Sequence, residues 1–128
     1  MNISYRIEPS ISNEALNQLF FAAWPKYQER DFSPILSRSL TFMCAYQAES
    51  LIGFIYLAWD GGSHAFILDP TVHPDVRRYG VGTQLVKRVI AIARQKSIKW
   101  IHVDYEPHLR DFYQQCGFRP TEAGLIAL

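Results

Sequence analysis

Ile3, Tyr5 and Ile7 alternate with polar positions until Pro9 interrupts them, which is the two-residue period of a half-buried strand. The period then changes. Leu16, Leu19, Phe20 and Ala23 fall at helical spacing behind Ser12 or Asn13 as cap, predicting an amphipathic helix that stops near Trp24-Pro25. Residues 24 to 39 follow no period, and Trp24, Tyr27 and Phe32 stand there among charges, with a short helix expected around Pro34 to Arg38. Leu40 to Ala48 and Leu51 to Trp59 read as two strands joined through Ala48-Glu49-Ser50. Asp60-Gly61-Gly62-Ser63 marks a further hairpin, because glycine supplies the positive φ of short turns, and His64 to His73 is the next strand. Leu85, Val86, Val89, Ile90, Ile92 and Ala93 form one stripe while Lys87, Arg88, Arg94 and Gln95 point away, so a helix is expected over 81 to 96. Lys99 to Asp104 reads as a buried strand through Trp100, Ile101 and Val103. Leu109, Phe112, Tyr113 and Cys116 mark a short helix closed by Gly117, and closing strands are expected over Phe118 to Thr121 and Leu125 to Leu128.

These elements make one α/β domain, since 128 residues hold one core and neither a repeat nor a linker divides them. No apolar run approaches the roughly 20 residues of a membrane helix. The N-terminus lacks a basic segment followed by an apolar stretch, so a cytoplasmic location is expected. Cys44 and Cys116 lie inside hydrophobic patterns without metal-ligand spacing, which predicts free thiols in a reducing compartment and no metal.

Charge sharpens the picture only through its distribution. The net value of +1 makes nucleic acid an unlikely partner. Between Arg77 and Lys99, however, seven basic residues occur and no acidic one. This stretch opens on Arg77-Arg78-Tyr79-Gly80-Val81-Gly82-Thr83, a glycine-rich turn between a strand and a helix. Such a turn aims backbone N–H groups and the positive end of the helix dipole at an anion. Unless Thr83 or Asp75 caps the helix, its first amides lack a side-chain partner. The chain has neither G-x-x-x-x-G-K-S/T nor G-x-G-x-x-G with a following acidic residue, so nucleoside triphosphates and dinucleotides are not the expected ligands.

Val72-His73-Pro74-Asp75-Val76-Arg77-Arg78-Tyr79-Gly80-Val81-Gly82 resembles motif A of the GNAT N-acetyltransferases, and Phe112-Tyr113-Gln114-Gln115-Cys116-Gly117-Phe118 resembles their F-Y-x-x-x-G-F signature. The order of elements over residues 3 to 122 is similar as well. The resemblance implies an α+β fold with a central, mixed, mostly antiparallel sheet, splayed and flanked by helices. It implies acetyl-CoA as co-substrate. The amides of residues 77 to 83 would hold its pyrophosphate, and backbone near Val72 would pair with its pantetheine arm. Two departures from the pattern stand out. Pro70 removes an N–H from the fourth strand and is expected to shift or bulge it, and Glu106-Pro107-His108 replaces an asparagine often found ahead of the F-Y helix.

Acetyl transfer from a thioester to an amine needs a neutral amine, a donor for the oxyanion and a proton for the thiolate. The resemblance makes Tyr113 the acid. His102, on the fifth strand, is the first candidate base, with Asp69, Asp104, Glu106 or water as alternatives, and a backbone N–H near Val72 is the expected oxyanion donor. Trp24, Tyr27 and Phe32 lie where the family builds its acceptor wall. With Glu29, Asp31 and Asp60 nearby, they point to a small primary amine with an apolar portion. The alternatives are a non-catalytic acyl-CoA-binding module and acetylation of a protein or tRNA. The exposed C-terminal strand also offers an edge through which a homodimer could pair.

Overall fold

The computed structural model describes residues 2–128. Its single sheet contains β1 (Ile3–Ile7), β2 (Thr41–Gln47), β3 (Ser50–Trp59), β4 (His64–Val72) and β5 (Trp100–Val103), side by side in chain order. The first four strands are antiparallel: β2–β3 and β3–β4 are hairpins, whereas β1 pairs with β2 across the longer connection of residues 8–40. β5 is parallel to β4, because the connection between them is a crossover through helix α3 (Val81–Gln95). This is the mixed, mostly antiparallel sheet that the motifs imply.

β4 is irregular on both of its edges. Its pairing with β5 runs only from His64↔Trp100 to Ile67↔Val103, whereas β4 itself continues to Val72. The sheet therefore opens between the two strands beyond Ile67, which is the expected splay. On its other side β4 pairs Leu68 with Tyr56 and Thr71 with Phe54, so Asp69 and Pro70 together face Ile55. That is a β-bulge at the proline, as the missing N–H predicts, and Asp69 adopts φ 50° within it.

Helices cover both faces. On one face α3 lays Leu85, Val86 and Val89 onto Met43, Ile55, Leu57 and Ile67, all buried. The helix comes so close that a Cβ on Gly53 would stand 3.1 Å from both Leu85 Cδ1 and Val81 Cγ1. On the other face α1 (Asn13–Ala23) and the short α2 (Ser33–Arg38) cover Cys44, Phe54 and Tyr56 with Leu16, Phe20 and Phe32. Ser12 caps α1 as expected, its hydroxyl accepting from the Ala15 amide at 3.1 Å. Burial pushes the Cys44 thiol up to about 12, so it behaves as a small core residue.

Three expectations need correction. Residues 118–128 form no strands: Pro120 interrupts the first expected strand, and Leu125, Ile126 and Leu128 lie exposed. A homodimer thus loses the strand through which it was to pair. Trp100 is 55% exposed, because only Ile101 and Val103 of β5 face the α3 side. The last helix is shorter than expected, α4 (Arg110–Gln115) preceded by a 3-10 turn over Pro107–Leu109. Among the described residues no helix is long and apolar enough to cross a membrane.

Candidate cofactor and acceptor site

The turn into α3 has the geometry of an anion cradle. Gly80 is the N-cap residue at φ 76°, a left-handed value open to glycine at no steric cost, and it provides no side-chain cap. Arg78 is also left-handed at φ 75°, and left-handed residues alternating with right-handed ones turn successive N–H groups into a concave nest. Gly80 accepts the first helical bond from Gln84 at 3.0 Å. Among the described residues, none of the amides of 78 to 83 finds a protein acceptor. Neither Thr83 nor Asp75 caps the helix. The Asp75 amide bonds His73 Nδ1 instead, at 3.1 Å. Tyr79 is 60% exposed beside these amides. Arg77 turns away, its Nη2 reaching the Ala23 carbonyl at the end of α1 at 3.4 Å, so its charge serves that helix end as well as the loop.

The cradle adjoins the opened slot. A methyl group built at Gly82 would lie 3.5 Å from Phe112 Cζ and 3.7 Å from Val72 Cγ2, which places the end of β4, the first turn of α3 and the α4 aromatics around one point. Phe112 was visible in the sequence only as part of a motif, and its contact with the loop was missed. Tyr113, one residue on, is 3% exposed. Its ring stacks on Tyr105 at 4.9 Å and meets the edges of Phe112 at 4.9 Å and Phe118 at 5.7 Å. Burial, with a smaller contribution from Cys116, pushes its phenol up to about 12, so it is protonated at any physiological pH.

On the far side of the β4 bulge lies a cluster of side chains. Asp69 Oδ2 accepts from Arg30 Nη1 at 2.9 Å, and each of these side chains is about one-third exposed, at 37% and 35%. The bulge is held from behind: the Thr71 hydroxyl donates to the Asp69 carbonyl at 2.9 Å and accepts from the Trp24 indole Nε1 at 3.0 Å. Trp24, 45% exposed, lies on this side of the bulge. Tyr27 is half-buried and gives its hydroxyl to Asn17 at 2.6 Å. Asn17 is 4% exposed and clamps the loop, accepting from the Arg30 amide at 3.0 Å and donating to the Arg30 carbonyl at 2.9 Å.

Two site expectations do not match this arrangement. Phe32 is fully buried against Phe20 and Phe54, so it is floor beneath the loop and offers no surface to a ligand. His102 sits in register with Phe66, six residues before Val72, or roughly 20 Å along the strand. It stacks on Phe66 at 4.7 Å and its Nε2 lies 2.8 Å from Nδ1 of His64. The structure therefore brings Asp69, and not His102, to the bulge beside the slot. Asp60 also belongs elsewhere: bonds from the Gly62 and His64 amides lower its pKa and bind it to its own turn.

The sheet opens at its fourth strand beside a glycine-rich turn into a helix, and residues 11–118 match the acetyltransferase (GNAT) family. The chain belongs to that family. It is 35% identical over 68 residues to the uncharacterized N-acetyltransferase ycf52 of Pyropia yezoensis, a stretch covering 53% of this chain and 39% of the relative. The match thus spans well under half of that protein. Its fold superposes on a GNAT-family acetyltransferase of Streptococcus pneumoniae TIGR4 with TM-score 0.78 at 23% identity, covering 99% of this chain and 98% of the other. Aminoglycoside N-acetyltransferase AAC(6')-Iy, solved in complex with CoA, gives TM-score 0.79 at 22% identity over 99% and 94% of the two chains. Identities this low speak for the fold alone.

Proposed function

We propose that the chain is an acetyl-CoA-dependent N-acetyltransferase acting on the primary amine of a small molecule by direct transfer in a ternary complex. The observation that carries this reading is the row of unpaired amides at residues 78 to 83 beside an opened β4–β5 slot. A diphosphate satisfies those donors and gains from the α3 dipole. The β4 backbone beyond Ile67, free of a β5 neighbour, offers its polar groups to the amide-bearing pantetheine arm. Acetyl-CoA supplies an activated acyl group, and AAC(6')-Iy as a CoA complex supports its use on this fold. The two free thiols suit a reducing cytoplasm.

The chain's own residues would then act in sequence. Asp69, with one oxygen engaged by Arg30, receives the ammonium proton of the acceptor on the other, directly or through water. The oxyanion donor expected near Val72 is better supplied by a β4 backbone N–H closer to the bulge, because Val72 abuts the cradle. Tyr113 returns a proton to the departing thiolate. Its raised pKa keeps the proton in place before the reaction but makes it a weak acid, so transfer requires the thiolate to be equally shielded from water in the slot.

The burial of Tyr113 favours one second reading, a non-catalytic acyl-CoA-binding module in which that ring is core. Thiol release from acetyl-CoA across an amine panel separates the two. Release that Tyr113→Phe lowers about a hundredfold, with CoA affinity retained, supports the enzyme. Tight CoA binding without release on any amine supports the module.

A further inference from the structure

We infer that Arg30 and Asp69 form a paired receptor for a zwitterion, so that the acceptor is an amino-carboxylic acid rather than a polyamine. This rests on the acetyltransferase reading above and specifies its substrate class. The two side chains lie 2.9 Å apart at the bulge beside the slot, each about one-third open to solvent. Both are held more firmly than a surface ion pair requires. The Arg30 guanidinium lies over the rings of Phe20, Phe32 and Tyr27 at 5.0, 5.0 and 5.4 Å, and its backbone is gripped at both N–H and C=O by buried Asn17. Asp69 is fixed by the bulge and by the Trp24–Thr71 chain behind it. Asp69 carries its charge on left-handed backbone, φ 50°, and strained positions of this kind concentrate at binding sites.

Their joint charge decides what they attract. A polycation needs uncompensated carboxylates, yet Asp69 is neutralised by Arg30. Asp31 keeps its negative charge, but its Oδ1 accepts from Asn13 Nδ2 at 2.9 Å and from the Ser33 amide at 3.0 Å, which ties it to the heads of α1 and α2 rather than to the bulge. A ligand carrying an amine and a carboxylate a few bonds apart sets its amine against Asp69 and its carboxylate against the Arg30 fork, giving four charges of alternating sign. This order also delivers the amine to the group that takes its proton. Trp24, bonded to Thr71 behind the bulge, and Leu68, next to Asp69 in the chain, are both exposed and offer apolar surface to the remainder of the ligand.

The test compares kcat/KM for leucine, phenylalanine and methionine, each against its decarboxylated amine, with spermidine as the polycation, in the wild type and in Arg30→Gln and Arg30→Lys. Taking acid-to-amine ratios within each protein cancels intrinsic nucleophilicity from the comparison. In the wild type at least one amino acid is expected to exceed its matched amine tenfold or more. Arg30→Gln should cut that ratio at least tenfold, and Arg30→Lys should restore part of it. Equal ratios in wild type and Arg30→Gln, or a preference for spermidine, overturn the inference while leaving the acetyltransferase intact. If no amine is turned over, the catalytic reading fails by itself, and calorimetry of the amino acids against the acetyl-CoA complex then decides: binding lost in Arg30→Gln sustains the receptor, and no binding refutes it.

Discussion

The two halves of the proposed site are built from different materials. On the cofactor side the groups are main-chain amides from one contiguous turn, residues 78 to 83, shaped by Gly80 and the start of α3. On the acceptor side they are side chains from Asn17, Trp24, Arg30, Asp69 and Thr71, drawn from α1, an irregular loop and a bulged strand. A site made of backbone depends on conformation and tolerates change in most side chains. A site made of side chains depends on tertiary register and fails residue by residue.

The sharpest way to break that contrast is Gly82→Asp. The helix dipole favours a carboxylate in the first turn while the apolar contacts of Phe112 and Val72 oppose it, so thermal stability should change little. CoA affinity, read by calorimetry, should fall on the order of a thousandfold as the new charge repels the anion. If CoA binding survived, the amides would not be the binding site. Asn17→Ala comes next. It leaves the Arg30 backbone groups and the Tyr27 hydroxyl without their buried partner, and should cost about 2 kcal/mol in urea unfolding while loosening the acceptor loop and sparing CoA binding. Ser12→Ala, at the remote end of α1, should cost only about 1 kcal/mol and leave both ligands' affinities alone.

Alkaline titration probes the ground between the halves. Tyr113 ionises at about 12 in the folded chain, against about 10 for an unfolded tyrosine. The stability this provides is full below pH 10 and disappears as pH rises from 10 through 12. Tyr113→Phe should flatten that part of the urea-stability profile. If the chain turns over amines as proposed, no loss of turnover between pH 8 and 10 should trace to this phenol.

This contrast also explains what the sequence disclosed. α3 and its loop were legible because a 3.6-residue stripe and two glycines encode them within about twenty consecutive residues. The bulge was legible because Pro70 lacks an N–H. The Arg30–Asp69 pair was not, since 39 positions separate its members and nothing local marks either. Asn17 sits among apolar helix positions and gives no sign of the loop it clamps. The family's order of elements puts Phe32 in the acceptor wall, yet it is the apolar floor of the loop. His102 carried the right chemistry on the right strand, but strand register, invisible in one dimension, set it against Phe66. The closing strands had suitable composition, but Pro120 interrupts the first and the apolar side chains of the second, Leu125, Ile126 and Leu128, lie exposed.

The close seat of α3 at Gly53 has one more consequence. With only hydrogen at that position, Leu85 and Val81 settle against the sheet, and the elevation of the whole cradle above Val72 is fixed by an atom that is missing. Gly53→Ala, deep in the protein and touching no ligand, would push the helix mouth outward by a few tenths of an ångström. That residue is the spacer gauge of the site: it sets the reach demanded of any molecule that must rest its phosphates on the helix and its reactive end at the bulge.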